Sequence, residues 1–316
     1  MQNDFYCTAD IIDRKIYMIE HTEYFIKIFN TEAGNIVKGA DFPVYGVSDP
    51  EEPISNTIIF AKNKFNCDIQ VKECVVITKK SLDIDRSNIQ IISSDPKKIY
   101  ADILIKFQNA LPISKKYELN GSMISENAVI GNRTRIGHYC VIEDDVVIGN
   151  DCEISDYSYI GAHTRIGNNV VIKEKCIIGI SDADIYRDGE GCMTLPHLGG
   201  TIIEDGCLLL TGAHIAAGDT KATIMQKGSM LGIAANVGHN SRIGKGVLIG
   251  AHACVCGHCV IGDNSYVAPS ATIMNRLIIG QNVNIGLGAV VLQNIEDNMR
   301  VFGNPAIPTM PLKRLK

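Results

Sequence analysis

The sequence has no apolar run of about 18 residues, so nothing in it reads as a helical membrane span. It has no long basic run either: 30 Lys and Arg stand against 35 Asp and Glu, a net charge of −5. Nucleic-acid binding needs clustered cations to neutralise phosphates, so no nucleic-acid partner is expected. The opening segment, MQNDFYCTAD, is polar and acidic and lacks the basic and apolar regions of a secretory signal. A cytoplasmic protein is therefore expected. The cysteines are eleven, an odd number in a large chain, which suits reduced thiols better than a disulfide framework. The densest group, Cys254, Cys256 and Cys259 beside His252 and His258, matches no usual zinc spacing. Its plainer reading is Cys as a small, buriable residue in tight coils. What the chain does have is apolar residues, 46% of the total, enough for a sizeable core.

Those residues are periodic. Isoleucine stands at 124, 130, 136, 142, 148, 154, 160, 166, 172 and 178, in strict steps of six. Many are followed by glycine, as in Ile130-Gly131, Ile136-Gly137 and Ile166-Gly167. The period resumes at Ile203, Leu209 and Ile215, then runs from Met225 to Val291. A helix wants 3.6 and a simple strand wants 2. Six fits short strands joined by turns, each strand sending one apolar side chain inward, with Gly where a Cβ would clash. This is the hexapeptide signature of a parallel β-helix. Proteins with this repeat resemble triangular prisms with three hexads per coil. The left-handed winding comes from that resemblance, since the general rule favours right-handed crossovers.

Residues 1–118 lack the period. Short β-like runs at Val44–Val47, Thr57–Phe60, Cys74–Thr78 and Ile89–Ile92 precede Asp95-Pro96, an N-cap and first-turn pair. These open an amphipathic helix with Ile99, Ile103 and Phe107 on one face. The expectation is a mainly β protein: a small N-terminal α/β domain over 1–118, with a linker near Leu111–Asn120, a left-handed β-helix over 119–305 and a tail over 306–316.

Three hexads per coil stack residues eighteen apart, with neighbouring strands about 4.8 Å apart. Two interruptions, Ile180–Gly200 and Ala216–Ile224, break the period. Counting hexads puts Ile178, Ile215 and Val237 on one face, so both loops leave along the column that carries His239. Gly257 stacks above His239, and Asn275, beside Arg276, comes one coil later. An imidazole, a small residue that exposes backbone and two flanking loops make a candidate cleft for acyl transfer. There a His can take a proton as general base and a backbone N–H can hold the oxyanion.

The sequence resembles the UDP-3-O-(3-hydroxyacyl)glucosamine N-acyltransferases of lipid A synthesis over nearly its whole length. Tyr45-Gly46-Val47-Ser48-Asp49 and Thr57–Phe65 resemble their uridine-binding domain. Pro196-His197-Leu198-Gly199-Gly200 resembles their loop-closing motif. Asn236-Val237-Gly238-His239-Asn240 resembles the segment holding their catalytic His. The resemblance implies His239 as base and Gly257 as oxyanion glycine. It implies Phe60, Asn63 and Phe65 as uracil contacts, with His197, Asn240 and Arg276 as further substrate contacts. It also implies a homotrimer that acylates the amine of a UDP-amino sugar, using acyl carrier protein or CoA thioesters, with no permanent cofactor and no metal.

The chain departs from that family in places. The usual acidic pair before the His motif is Gly232-Ile233, which leaves unassigned what orients the imidazole. An Asp-Arg pair in the second loop is Ala216-Ala217, and a second family His is Arg276. The sequence stops soon after Val301-Phe302-Gly303-Asn304-Pro305-Ala306, where the family carries a helical extension, and Gly303-Asn304-Pro305-Ala306 resembles the ending of acetyl-CoA-dependent β-helix enzymes. Three other readings follow. One is an acetyl-CoA-dependent N- or O-acetyltransferase of another surface-glycan pathway. A second is a non-catalytic scaffold or sugar-nucleotide sensor. The third is a zinc enzyme of the β-helix carbonic anhydrase kind, for which His252 and His258 lie on successive faces rather than in one column.

Overall fold

A computed structural model describes residues 20–21, 35–37, 41–50, 52–61, 71–110, 115–187 and 191–303. From Ser122 onward the chain winds into a left-handed parallel β-helix whose three faces are sheets of ten, eight and nine strands. The register is the hexad register. On the first face Ile142 lies opposite Ile124 and Ile160, and Ile178, Ile215, Val237 and Val255 continue the column. The apolar residue of each hexad points inward: Ile142, Ile160, Ile172, Leu209, Ile249 and Ile273 are completely buried.

A second inward slot lies two residues before each of these. It holds mostly small side chains, among them Cys140, Cys152, Cys176, Cys207, Cys259, Ala213, Ala235 and Ser241, with Val146, Val170, Val247 and Leu277 as larger occupants. The thiols reach carbonyls of the next coil, as Cys140 Sγ to Ser155 O at 3.2 Å and Cys176 Sγ to Leu210 O at 3.2 Å. Cys259, taken from the suspected cluster, fills one of these slots, while Cys254 and Cys256 stay partly exposed.

The glycine after each isoleucine has a different job from the one its position suggests. A Cβ on Gly131 would lie 2.4 Å from Gly149 O of the next coil, so glycine permits close stacking. The left-handed backbone of the corner falls two residues later, at Arg133, Tyr139, Asp145, Asp151 and Tyr157, all with positive φ. Such a conformation costs about 1–2 kcal/mol per residue outside glycine. The ladders on both sides of each corner over-determine it.

The N-terminal region forms a five-stranded sheet in the order Asn35–Val37, Ile89–Ile92, Val75–Thr78, Thr57–Ala61, Gly46–Ser48. The last four are mutually parallel, and Asn35–Val37 is antiparallel to its neighbour. The helix Pro96–Ala110 covers one side. Asp95 caps it, accepting from the Lys98 N–H at 3.1 Å, and Tyr100, Ile103, Leu104 and Phe107 bury against Ile58, Ile77 and Ile91. Inside the expected linker, Lys116–Leu119 pairs antiparallel with Ser122–Ser125, so these residues extend the first face of the β-helix. The long loop carries the antiparallel pair Ile185–Arg187 and Cys192–Thr194. It sends Tyr186 and Leu195 into the core of the N-terminal unit, which ties that unit to the prism. No helix among the described residues is long and apolar enough to cross a membrane.

Candidate active site

Both loops leave the face that carries His239. The first follows Ile177–Ile180 and the second follows His214–Ala216, and the strand Asn236–Val237 lies beside them. The His239 ring lies flat against Gly257. A Cβ built on Gly257 would sit 2.7 Å from the ring's Cε1 and 2.8 Å from Nε2. Any other residue would push the imidazole away. At other corners the corresponding amide is capped by a side chain one coil on, as Asn150 N–H by Asn168 Oδ1 at 2.8 Å and Lys245 N–H by Asp263 Oδ1 at 2.9 Å. No hydrogen bond engages the Gly257 amide among the described residues.

The imidazole has an acidic partner that the sequence reading missed. Asp182, from the long loop, places Oδ2 3.4 Å from His239 Nδ1. Burial disfavours the charged ring, but the Asp182 hydrogen bond and the charges of Asp219, Asp182 and Asp184 outweigh it. The His239 pKa is held above its ordinary 6.5. The same hydrogen bond, against opposing burial, holds the Asp182 carboxyl well below the usual range. Asp182 thus takes the orienting role that Gly232-Ile233 cannot fill.

A second acid comes from the second loop. Asp219 is gripped by Asn240, whose Oδ1 accepts the Asp219 N–H at 2.7 Å and whose Nδ2 donates to the Asp219 carboxylate. Its Oδ2 lies 4.0 Å from His258 Nε2. Burial opposes its ionisation, yet His258, Asn240, His239 and His197 together keep the carboxyl below its ordinary value. His258 is a third unforeseen member, its ring centroid 5.0 Å from that of His239 and nearly perpendicular to it. Asp219, His239 and His258 each offer a ligand atom within 4.8 Å of the others, spacing that a divalent metal could use. Hydrogen bonds and charge within the cluster, from the His239 Nδ1–H to Asp182 and from Asn240 to Asp219, account for its geometry without one.

His197 sits on the other side of His239, ring centroids 5.0 Å apart. Its Nδ1 lies between the Ala217 carbonyl, at 2.9 Å, and the Asp182 N–H, at 3.2 Å. It can serve only one of them, and the shorter contact puts the proton on Nδ1. Burial and the neighbouring His239 push its pKa down, so it stays neutral. Its Nε2 is buried without a partner. The segment after it is laced to the second loop by Leu198 N–H to Asp219 O at 3.1 Å and Gly199 N–H to Gly218 O at 2.8 Å. The loop-closing motif therefore fastens the two acid-bearing loops together.

The other expected contacts fall out differently. Asn240 is 6% exposed and spends its side chain on Asp219, so it shapes the site from behind. Arg276 is exposed at the corner above His258, its N–H bonded to Gly257 O at 3.0 Å. Phe60 stacks on Tyr100 at 5.2 Å and packs against the N-terminal core. Asn63 and Phe65 lie outside the described residues, as does the segment from Asn304 onward. The two acids carried no period to betray them. The one available signal was their position just inside the two interruptions.

Against this geometry the comparisons add a family of repeats and a fold. The bacterial transferase hexapeptide (six repeats) family matches residues 127–162 and 145–179. The chain carries transferase-type hexapeptide repeats. No curated protein sequence matches it. Similar solved structures include LpxA from Acinetobacter baumannii, 22% identical over 59% of this chain and 71% of that one, TM-score 0.53. LpxA from Bacteroides fragilis 9343, a UDP-N-acetylglucosamine acyltransferase, is 24% identical over 57% and 69%, TM-score 0.52. The UDP-N-acetylglucosamine O-acyltransferase LpxA from Moraxella catarrhalis RH4 is 19% identical over 59% and 71%, TM-score 0.55. These likenesses establish the shared β-helix.

Proposed function

We propose that the protein is an acyltransferase that moves an acyl group from a thioester, on acyl carrier protein or CoA, to the amine of a UDP-linked amino sugar. The observation that carries this reading is the Asp182–His239 pair lying flat on Gly257, where two loops converge. His239 Nε2 takes a proton from the acceptor amine as its nitrogen attacks the thioester carbonyl. The Gly257 N–H holds the oxyanion of the tetrahedral intermediate. Collapse breaks the carbon–sulfur bond, and the imidazolium returns the proton to the departing thiolate. Asp182 keeps the ring oriented and stabilises its charged form. Asp219 and His258 complete a polar wall around the transferring group.

The transferase repeats and the fold shared with UDP-N-acetylglucosamine acyltransferases support a nucleotide-sugar acceptor. The homotrimer belongs to the same proposal, as do Phe60 and Arg276 as substrate contacts. A second reading, transfer to a sugar hydroxyl, is favoured by the raised basicity of His239, which a weakly acidic hydroxyl needs more than an amine does. The test is a transfer assay with acetyl-CoA and long-chain acyl carrier protein, each against UDP-N-acetylglucosamine and UDP-amino sugars. Turnover with an amino sugar supports the first reading. Turnover only with UDP-N-acetylglucosamine supports the second. No turnover with any pair sinks both.

A further inference from the structure

The acids of the site are fastened to the N-terminal unit as well as to each other. The long loop alternates its duties. Asp182 faces His239. Two residues on, Asp184 Oδ1 pairs with Lys97 Nζ at 3.0 Å, and the same ammonium donates to Ile185 O at 2.9 Å. Two residues further, the Tyr186 hydroxyl donates to Asp95 Oδ2 at 2.6 Å. Asp95 uses its other oxygen to cap the helix that carries Lys97. The Asp184 N–H turns back on the Asp182 carbonyl at 3.0 Å, which makes the segment short and taut. The second loop has a matching tie: Lys221 Nζ lies 3.5 Å from Asp49 Oδ2. Each acid-bearing loop is thus held to the N-terminal unit by one Lys–Asp pair. Between the ties lies Tyr100, its hydroxyl buried without a partner and under the charges of Asp219, Asp184 and Asp49.

We infer that the segment Asp182–Tyr186 is a strap through which the N-terminal unit sets the catalytic imidazole, with Lys97 a positioning residue that acts on His239 through Asp184 and Asp182. This rests on the acyltransferase reading and deepens it: the N-terminal unit sets the base as well as receiving the acceptor. The groups facing His239 are Asp182 and Asp184 from the strap, Asp219 from the second loop, His197 from the end of the long loop and His258 from the next coil. Only the first two move when Lys97 lets go.

The experiment compares Lys97→Met, Lys97→Arg and Asp184→Asn with the wild type in the full-length protein. Lys97→Met and Asp184→Asn should each lower kcat roughly tenfold with the donor KM little changed, as a small misplacement of a reacting group does. Both should shift the acid limb of the rate profile to lower pH. Lys97→Arg should restore most of the rate, and Lys97→Met with Asp184→Asn together should cost no more than either alone. Unchanged kcat and midpoint in Lys97→Met would overturn the strap. So would a loss that the arginine variant does not rescue. Imidazole NMR titration of His239 reads the same coupling without turnover. A midpoint lowered in Lys97→Met, as when Asp182 and Asp184 draw away from the ring, upholds the strap even if no donor is accepted; a midpoint unmoved, or raised as the freed Asp184 charge alone would give, removes it even if the enzyme is active.

Discussion

Two of the His–Asp pairs among the described residues, His163–Asp145 and His239–Asp182, have almost the same geometry and burial, and only the second sits in the candidate site. His163 Nδ1 lies 3.0 Å from Asp145 Oδ2, with side-chain exposures of 13% and 24%. His239 Nδ1 lies 3.4 Å from Asp182 Oδ2, with 15% and 27%. Distance and burial do not separate them. What separates them is the rest of each carboxylate's company. Asp145 sits one coil below His163 and also holds the Arg165 guanidinium at 2.7 Å, so its charge is already answered. Asp182 reaches His239 across 57 residues, and no Arg or Lys pairs with it among the described residues. Apart from the Ala183 N–H that its Oδ1 accepts at 2.7 Å, its charge acts on the imidazole. The first pair belongs to a regular stack; the second exists because two loops interrupt that stack.

The comparison can be broken by exchanging roles. His239→Gln should lower kcat by roughly 10²- to 10⁴-fold, the usual share of a general base, whereas His163→Gln should leave kcat within about twofold. Equal losses in steady-state assays would mean that His239 acts as the stacked His163 does, through the fold and not as a base. Gly257→Ala adds a methyl 2.7 Å from the His239 ring and should cost roughly 10²-fold in kcat by displacing it. A variant with full rate would show that the ring need not lie there. Asp182→Asn should cost roughly tenfold, while Asp145→Asn should cost nothing in rate. At the small end, Arg133→Ala removes a fully exposed pair with Asp151 on the regular coils. Thermal unfolding and turnover should both be unaltered, because such pairs are screened by solvent.

Much of this architecture could be read before any coordinates. Steps of six placed the main inward residue of each hexad from Ile124 to Val291, though not the second slot two residues before it, and counting coils put His239 beneath Gly257 on the loop-bearing face. The strand Ile89–Ile92 and the Asp95 cap were legible for the same reason, since both are local. Asp182, Asp219 and His258 were not. Two lie in loops whose shape depends on docking against the N-terminal unit, and a contact across 57 residues leaves no periodic trace. The resemblance implies Asn240 as a substrate contact, but its side chain is spent on Asp219. The steric need for glycine after many of the isoleucines is legible in the repeat, whereas the left-handed corner two residues on, at Arg133, Tyr139 and Asp151, carries no fixed residue type to mark it.

The central claim is that Asp182 makes His239 a stronger base than an ordinary imidazole, and the rate–pH profile tests it directly. A general base must be neutral, so activity should rise with pH through the His239 pKa, which lies above 6.5 in the wild type. Removing the Asp182 charge takes away what raises that pKa, so Asp182→Asn should move the midpoint of kcat/KM to lower pH while lowering the plateau. A wild-type midpoint above 6.5 that falls in Asp182→Asn is the predicted result. A midpoint that stays in place in Asp182→Asn, or moves upward, would contradict the account.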